Sequence, residues 1–171
     1  MQKFVQIMEN MEIQEKMWKK IVNKLIDKKL TISTMESCTG GGIANKITNI
    51  SGASTVLSES YVTYSNEAKI KQGVSKKIID KYTVYSGETA LEMARAVKEQ
   101  AQSDIGIGVT GQLGRIDPNN PIDKLNCVWF AIINNKDEKI VEEIHVIDER
   151  RDEQKEIVIK KIAQKLLEKI D

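Results

Sequence analysis

Leu30-Thr31-Ile32-Ser33-Thr34-Met35-Glu36-Ser37-Cys38-Thr39-Gly40-Gly41-Gly42-Ile43-Ala44-Asn45-Lys46-Ile47 changes its hydrophobic rhythm in mid-course. Leu30 to Met35 is short and rich in β-branched residues, which predicts a strand. Glu36 to Gly42 then supplies turn residues, and Ile43, Ala44 and Ile47 resume at helical spacing. A strand, a tight turn and a helix start in direct succession form the opening unit of a layered α/β domain.

Upstream, Trp18, Ile21, Val22, Leu25 and Ile26 recur at three- and four-residue spacing, so Glu12 to Lys29 reads as an amphipathic helix covering one face of a sheet. Downstream, Thr55 to Tyr64 alternates as a second strand, with Val56, Ser58, Ser60 and Val62 on one face. Ser65 or Asn66 can cap a short helix that Gly73 ends, and Ser75 can cap another carrying Ile78 and Ile79. Ser86 precedes a longer helix whose Ala90, Leu91, Ala94, Val97 and Ala101 make a narrow stripe of mostly small residues, suited to close packing on a sheet. Asp104 to Val109 reads as a strand leading into a glycine-containing loop. Cys127 to Ile133 and Lys139 to Ile147 read as a β-hairpin with a five-residue connection, and Ile157, Val158, Ile162, Leu166, Leu167 and Ile170 mark a final helix. Asp148 to Glu156, with both signs of charge mixed, reads as the solvated start of that helix. The expected fold is a three-layer α/β/α sandwich with a mixed, mostly parallel sheet. Residues 1–171 are expected to form a single domain, with 1–29 an amino-terminal helical segment.

The chain has 171 residues, and 26 Lys and Arg against 25 Asp and Glu give it a formal charge of +1. A near-neutral molecule lacks the field that drives phosphate-backbone binding, so nucleic acid is not an expected partner. No signal-peptide core and no long apolar run occur, so no membrane association is expected either. Two separated cysteines, Cys38 and Cys127, cannot make a disulfide framework and point to the reducing cytoplasm. The one histidine, His145, leaves too few ligands for a His-based metal site and no ordinary Ser-His-Asp triad. Hydrolytic chemistry would need another base.

Seven of the ten glycines fall at 40, 41 and 42 and at 106, 108, 111 and 114, each group following or ending a predicted strand. Such turns can offer backbone N–H groups to a phosphate or an oxyanion, or can simply permit tight bends. Ser37, between a strand and a glycine-rich helix start, can point its hydroxyl into a cleft or can merely cap the helix. The residues alone leave both pairs of readings open. Cys38 reads as a small buried filler, and Trp129 and Phe130 as core.

Glu36-Ser37-Cys38-Thr39-Gly40-Gly41, then Val62-Thr63-Tyr64-Ser65-Asn66-Glu67-Ala68-Lys69 with Gly73-Val74, then Gly108-Val109-Thr110-Gly111, resembles the CinA carboxy-terminal domain family, which includes nicotinamide-nucleotide amidases, also called nicotinamide mononucleotide deamidases. The resemblance runs from about Leu30 to the last helix. It implies Ser37 as nucleophile and Tyr64 and Lys69 as the groups that activate it, with no metal and no organic cofactor. It also implies a nucleotide substrate contacted by Cys38, Thr39, Gly40, Gly41, Ser65, Asn66, Thr110 and Gly111, and a homodimer; beside these, Arg115 reads either as a bidentate phosphate partner or as a surface residue. N–H groups around Ser37, Gly40 and Gly41 would receive the oxyanion. Many relatives carry a further amino-terminal domain, which is not expected in the residues before Leu30.

The chain departs from the family pattern twice. Gln112-Leu113-Gly114-Arg115-Ile116-Asp117-Pro118-Asn119-Asn120-Pro121 stands where relatives have a Gly-Pro-Gly-Gly run, and both prolines of the chain stiffen it. Asp117 also brings negative charge toward the expected phosphate. Val84-Tyr85-Ser86-Gly87 replaces a small residue followed by Val-Ser. Two other functions therefore stand beside nicotinamide mononucleotide deamidation: a Ser-Lys amidase for another small amide, and a non-catalytic interaction module linked to competence or DNA damage.

Overall fold

A computed structural model describes residues 2–147 and 150–170. Helix α1 spans Gln2–Lys28, strand β1 Ile32–Glu36 and helix α2 Gly42–Thr48; a short 3-10 turn at Ala53–Thr55 leads into β2, Leu57–Val62. Helices α3 (Asn66–Lys71), α4 (Lys76–Tyr82) and α5 (Gly87–Ala101) follow, then β3 (Ile105–Gln112), β4 (Cys127–Ile133), β5 (Lys139–His145) and α6 (Arg151–Lys169). The strands form one sheet in the order β2-β1-β3-β4-β5. β1 runs parallel to β2 and β3, while β4 is antiparallel to both β3 and β5, so four strands point one way.

Helices cover both faces. Trp18, Ile21, Val22 and Leu25 of α1, Ile43 and Ile47 of α2, and Val158, Ile162 and Leu166 of α6 bury against Ile32, Ile105, Ile107, Val109, Val128, Phe130 and Ile132. On the other face α5 lies on β1, β3 and β4, with Met93 and Val97 beside Met35 and with Ala90 and Ala94 beside Ala131. The small stripe of α5 meets a glycine pair: a Cβ on Gly106 would stand 2.3 Å from the Ala94 carbonyl oxygen, and one on Gly108 2.1 Å from that of Ala90. These glycines lie within β3, inside the strand expected from Asp104 to Val109, and let helix and strand backbones touch rather than offering N–H groups at a turn.

The longer elements differ at their ends from the sequence expectation. α1 begins ten residues before Glu12, and Thr55 belongs to the 3-10 turn rather than to β2. β3 continues through Gln112, because Thr110, Gly111 and Gln112 pair with Trp129, Val128 and Cys127 of β4. The hairpin has its expected five-residue connection, with Ile133 opposite Lys139. Asp148 and Glu149 lie outside the described residues, and the rest of that charged stretch enters α6. Among the described residues, no helix is long and apolar enough to cross a membrane.

Topology locates a crevice before any side chain is considered. The chain leaves β1 to one side to make β2, then returns past β1 to make β3 on its other side. The carboxyl ends of β1 and β3 flank this reversal, where open α/β sheets bind ligands. Ser37 is the first residue beyond β1.

Candidate active site

The β1–α2 turn is held from within. Glu36 is fully buried, and both of its carboxyl oxygens accept hydrogen bonds: Oε2 from Thr39 Oγ1 at 2.7 Å and Ile43 N at 3.1 Å, Oε1 from Ala44 N at 3.0 Å and Thr34 Oγ1 at 3.2 Å. It thus supplies from the strand side the anion that the first turn of α2 calls for. Gly40 and Gly41 have φ of 62° and 87°, which bends the chain back so that Glu36 can reach that turn. Ser37 N donates to Val109 O, and Gly40 N to Ser37 O. The amides of Ser37 and Gly40, expected to face an oxyanion, are therefore occupied. Among the described residues, those of Cys38, Thr39 and Gly41 have no backbone acceptor.

Lys69, on α3, is 1% exposed, and its Nζ donates to Ser37 Oγ at 3.2 Å and to Thr63 O at 2.8 Å. Ser65 starts α3 by accepting from Ala68 N at 3.1 Å, which fixes the helix just after β2 and directs Lys69 back beneath Ser37. Burial brings the Lys69 ammonium down to about 8. Burial pushes the neighbouring Cys38 thiol up to about 12, so that sulfur is not an activated nucleophile.

Ser37 opens onto a cavity of about 1100 Å³ between the β1–α2 turn, the start of α3, the β3–β4 loop and the first turn of α6. Of the expected site residues, Ser37, Cys38, Tyr64, Ser65, Asn66, Gly111 and Arg115 line it. Lys69 stands behind Ser37. Thr39, Gly40, Gly41 and Thr110 are not on the cavity wall: Thr39 serves Glu36, and Thr110 is wholly buried, donating to Val84 O at 2.9 Å. The Tyr64 hydroxyl is at the exposed side, where it accepts from Arg151 Nη2 at 2.8 Å; it makes no hydrogen bond to Ser37 or Lys69.

Several wall residues were not anticipated. Arg151, at the start of α6, also donates to Leu113 O and so ties that helix to the β3–β4 loop. Gln112 donates to the carbonyls of Asn120 and Ile122, both at 3.1 Å, bracing the loop from β3. The two departures from the family pattern meet: Tyr85 donates from its hydroxyl to Asp117 Oδ2 at 2.9 Å, and both line the cavity. Asn120 Nδ2 and the Asn119 N–H also donate to Asp117, holding its carboxyl below the usual carboxylate range. Asn120 Oδ1 in turn accepts from Asn66 at 2.8 Å, which links the loop to α3.

Comparison with known proteins gives one consistent answer. Residues 14–170 match the sequence model of the CinA C-terminal domain. A relative from Clostridium kluyveri described as a competence-damage inducible protein is 45% identical over 122 residues, 71% of this chain and 30% of that protein. A CinA-like protein from Kosmotoga olearia is 50% identical over 95 residues, 55% of this chain and 23% of its own length. The matched stretches thus span a third or less of these curated relatives. Among solved structures, a competence or damage-inducible protein from Enterobacter asburiae superposes with a TM-score of 0.85 at 25% identity, covering 92% of this chain and 98% of that one. The competence/damage inducible protein CihA from Agrobacterium tumefaciens gives 0.82 at 28% identity, covering 91% and 94%.

Proposed function

The chain belongs to the CinA C-terminal domain family, and we propose that it is an amidohydrolase converting nicotinamide mononucleotide to nicotinate mononucleotide and ammonia. The observation that carries this reading is a buried Lys69 amine, held near pH 8, within hydrogen-bond distance of Ser37 Oγ at the edge of a substrate-sized cavity. At pH 7 about a tenth of such an amine is neutral and able to accept a proton. An exposed lysine would offer several hundredfold less.

In this mechanism neutral Lys69 takes the Ser37 proton as Oγ attacks the carboxamide carbon. The oxyanion is received by free amides of the turn, with Cys38, Thr39 and Gly41 the available donors. Lys69 then protonates the leaving nitrogen, ammonia departs, and a water deprotonated by the same amine hydrolyses the acyl-serine. Thr63 O keeps Nζ aimed at Ser37 through both half-reactions. Tyr64 acts from the cavity mouth, with its hydroxyl oriented by Arg151, and binds substrate there rather than relaying the serine proton. Arg115 and Arg151 supply the positive charge for a phosphate.

A second reading, a Ser-Lys amidase for another small amide, is favoured by the Asp117 carboxylate held in the cavity by Tyr85, Asn119 and Asn120. An anion so placed opposes a phosphate unless both arginines outweigh it. One experiment tests the reading and divides the two: purified chain and its Ser37→Ala variant are given nicotinamide mononucleotide and a panel of uncharged carboxamides, and ammonia is measured. Release from the mononucleotide that disappears in the variant supports the first reading. Release only from other amides selects the second, and release that survives Ser37→Ala overturns both.

A further inference from the structure

The strand pairing gathers a second set of reactive groups, away from Ser37. His145 is directly opposite Cys127 in the β4–β5 ladder, and Glu143 lies two residues earlier on the same face. Cys127 Sγ donates to Glu143 Oε1 at 2.8 Å, and His145 Nε2 is 3.5 Å from that oxygen. One ligand atom from each residue lies within 4.8 Å of the other two. The set combines the chain's one histidine with one of its two cysteines. None of the three lines the cavity, although Cys127 is paired with Gln112, which does.

We propose that Cys127, Glu143 and His145 bind a zinc ion at the outer edge of the sheet. Zinc with bonds of about 2.0–2.3 Å holds tetrahedral ligands roughly 3.3–3.8 Å apart, so the spacings here need only side-chain adjustment. The donor types also select the ion: thiolate and imidazole with one carboxylate suit zinc, whereas magnesium and calcium require oxygen shells. Cys127 is buried while Glu143 and His145 are exposed, so the ion would sit at the surface with its fourth position open to water. As the Zn–S bond forms, the thiol proton now donated to Glu143 passes to solvent, and no electron is transferred. Lys124, a cation that acts on Cys127, has its Nζ 5.9 Å from the Trp129 ring centroid and donating to Tyr85 O at 3.4 Å.

The test uses the full, reduced, metal-stripped chain titrated with zinc against a chromophoric chelator, and separately with cobalt(II). The expected result is one zinc per chain, a thiolate-to-cobalt charge-transfer band, and tetrahedral cobalt absorption. His145→Gln and Glu143→Gln each weaken zinc binding at least about tenfold, and Cys127→Ser removes the charge-transfer band. The exposed His145→Gln variant tests the site even if replacing the buried cysteine disturbs folding. Less than one zinc per chain, no thiolate band, or unchanged affinity in His145→Gln overturns the proposal. Zinc binding is read without substrate, so its failure and failure of the amidase reading are separate results.

Discussion

The two walls of the cavity are built differently. The β1–α2 wall is fixed by groups buried behind it: Glu36 holds the turn and Lys69 holds Ser37, and both are within 1% of complete burial. The opposite wall, from Leu113 to Asn126, has little regular backbone pairing and is held by side chains, through Tyr85 to Asp117, Asn66 to Asn120, and Gln112 and Arg151 to loop carbonyls. On the proposed reading, Ser37 and Lys69 are held by the buried segments that follow β1 and β2, and much of the recognition wall is a replaceable loop. That arrangement lets the second wall change its chemistry while the first keeps its geometry.

The sharpest way to break the comparison is Lys69→Met. Turnover is expected to fall at least about 10³-fold, read from ammonia release, while circular dichroism and thermal stability at neutral pH stay at or above those of the parent. The stability expectation follows from proton linkage. Lys69 is held at about 8 in the fold against its ordinary value of 10.5, so between those values the unfolded chain binds more protons and the folded state gains stability as pH rises. The full cost of burying the ammonium, about 3 kcal/mol at most, is present below pH 8. The parent's rate should correspondingly rise about tenfold per pH unit up to about 8 and then level. A rate flat from pH 6 to 9 would remove Lys69 as the base.

Next in size is Glu36→Ala, which removes the acceptor of two α2 amides and of the Thr39 hydroxyl, while Thr34 keeps Ser60 as a partner. We expect a loss of about 3 kcal/mol, read by denaturant unfolding. A loss below about 1 kcal/mol would mean that the turn is held otherwise. The smallest effect is on the loop wall. Asp117→Asn keeps a hydrogen-bonding side chain at the position and should change KM for an anionic amide severalfold downward with kcat unchanged. A change confined to kcat would place Asp117 with the reacting groups and dissolve the distinction between the walls.

Legibility in the sequence followed the same division. The strand, turn and helix from Ile32 to Thr48, and the small-residue face of α5, were readable because each is a local pattern imposed by its own backbone. Gly106 and Gly108 are read correctly as strand residues, but their packing role depends on Ala90 and Ala94, reached only once α5 packs. Thr110 and Gly111 read as loop because their β4 partners arrive after a long intervening segment. Arg151 was invisible for another reason. It stands in a run of mixed charge, and only the rotation of α6 against the sheet selects it from Arg150 beside it. Ser37, Tyr64 and Lys69 stand out only through family resemblance, and Lys69 otherwise reads as an ordinary helix lysine. The gathering of Cys127, Glu143 and His145 could not be found by counting residue types, since strand register creates it.

Glu36 has one more effect, on how salt acts at the cavity. Because its side chain already answers the first turn of α2, that helix offers a substrate little of its dipole. In the proposed reading, affinity for a phosphate would then come from Arg115 and Arg151, which are exposed and therefore open to screening by salt. Binding of an anionic amide should weaken as ionic strength rises, whereas binding of an uncharged one should not. In an amidase built this way, the buried carboxyl would leave the chemistry insulated from the surrounding electrolyte and make substrate capture responsive to it.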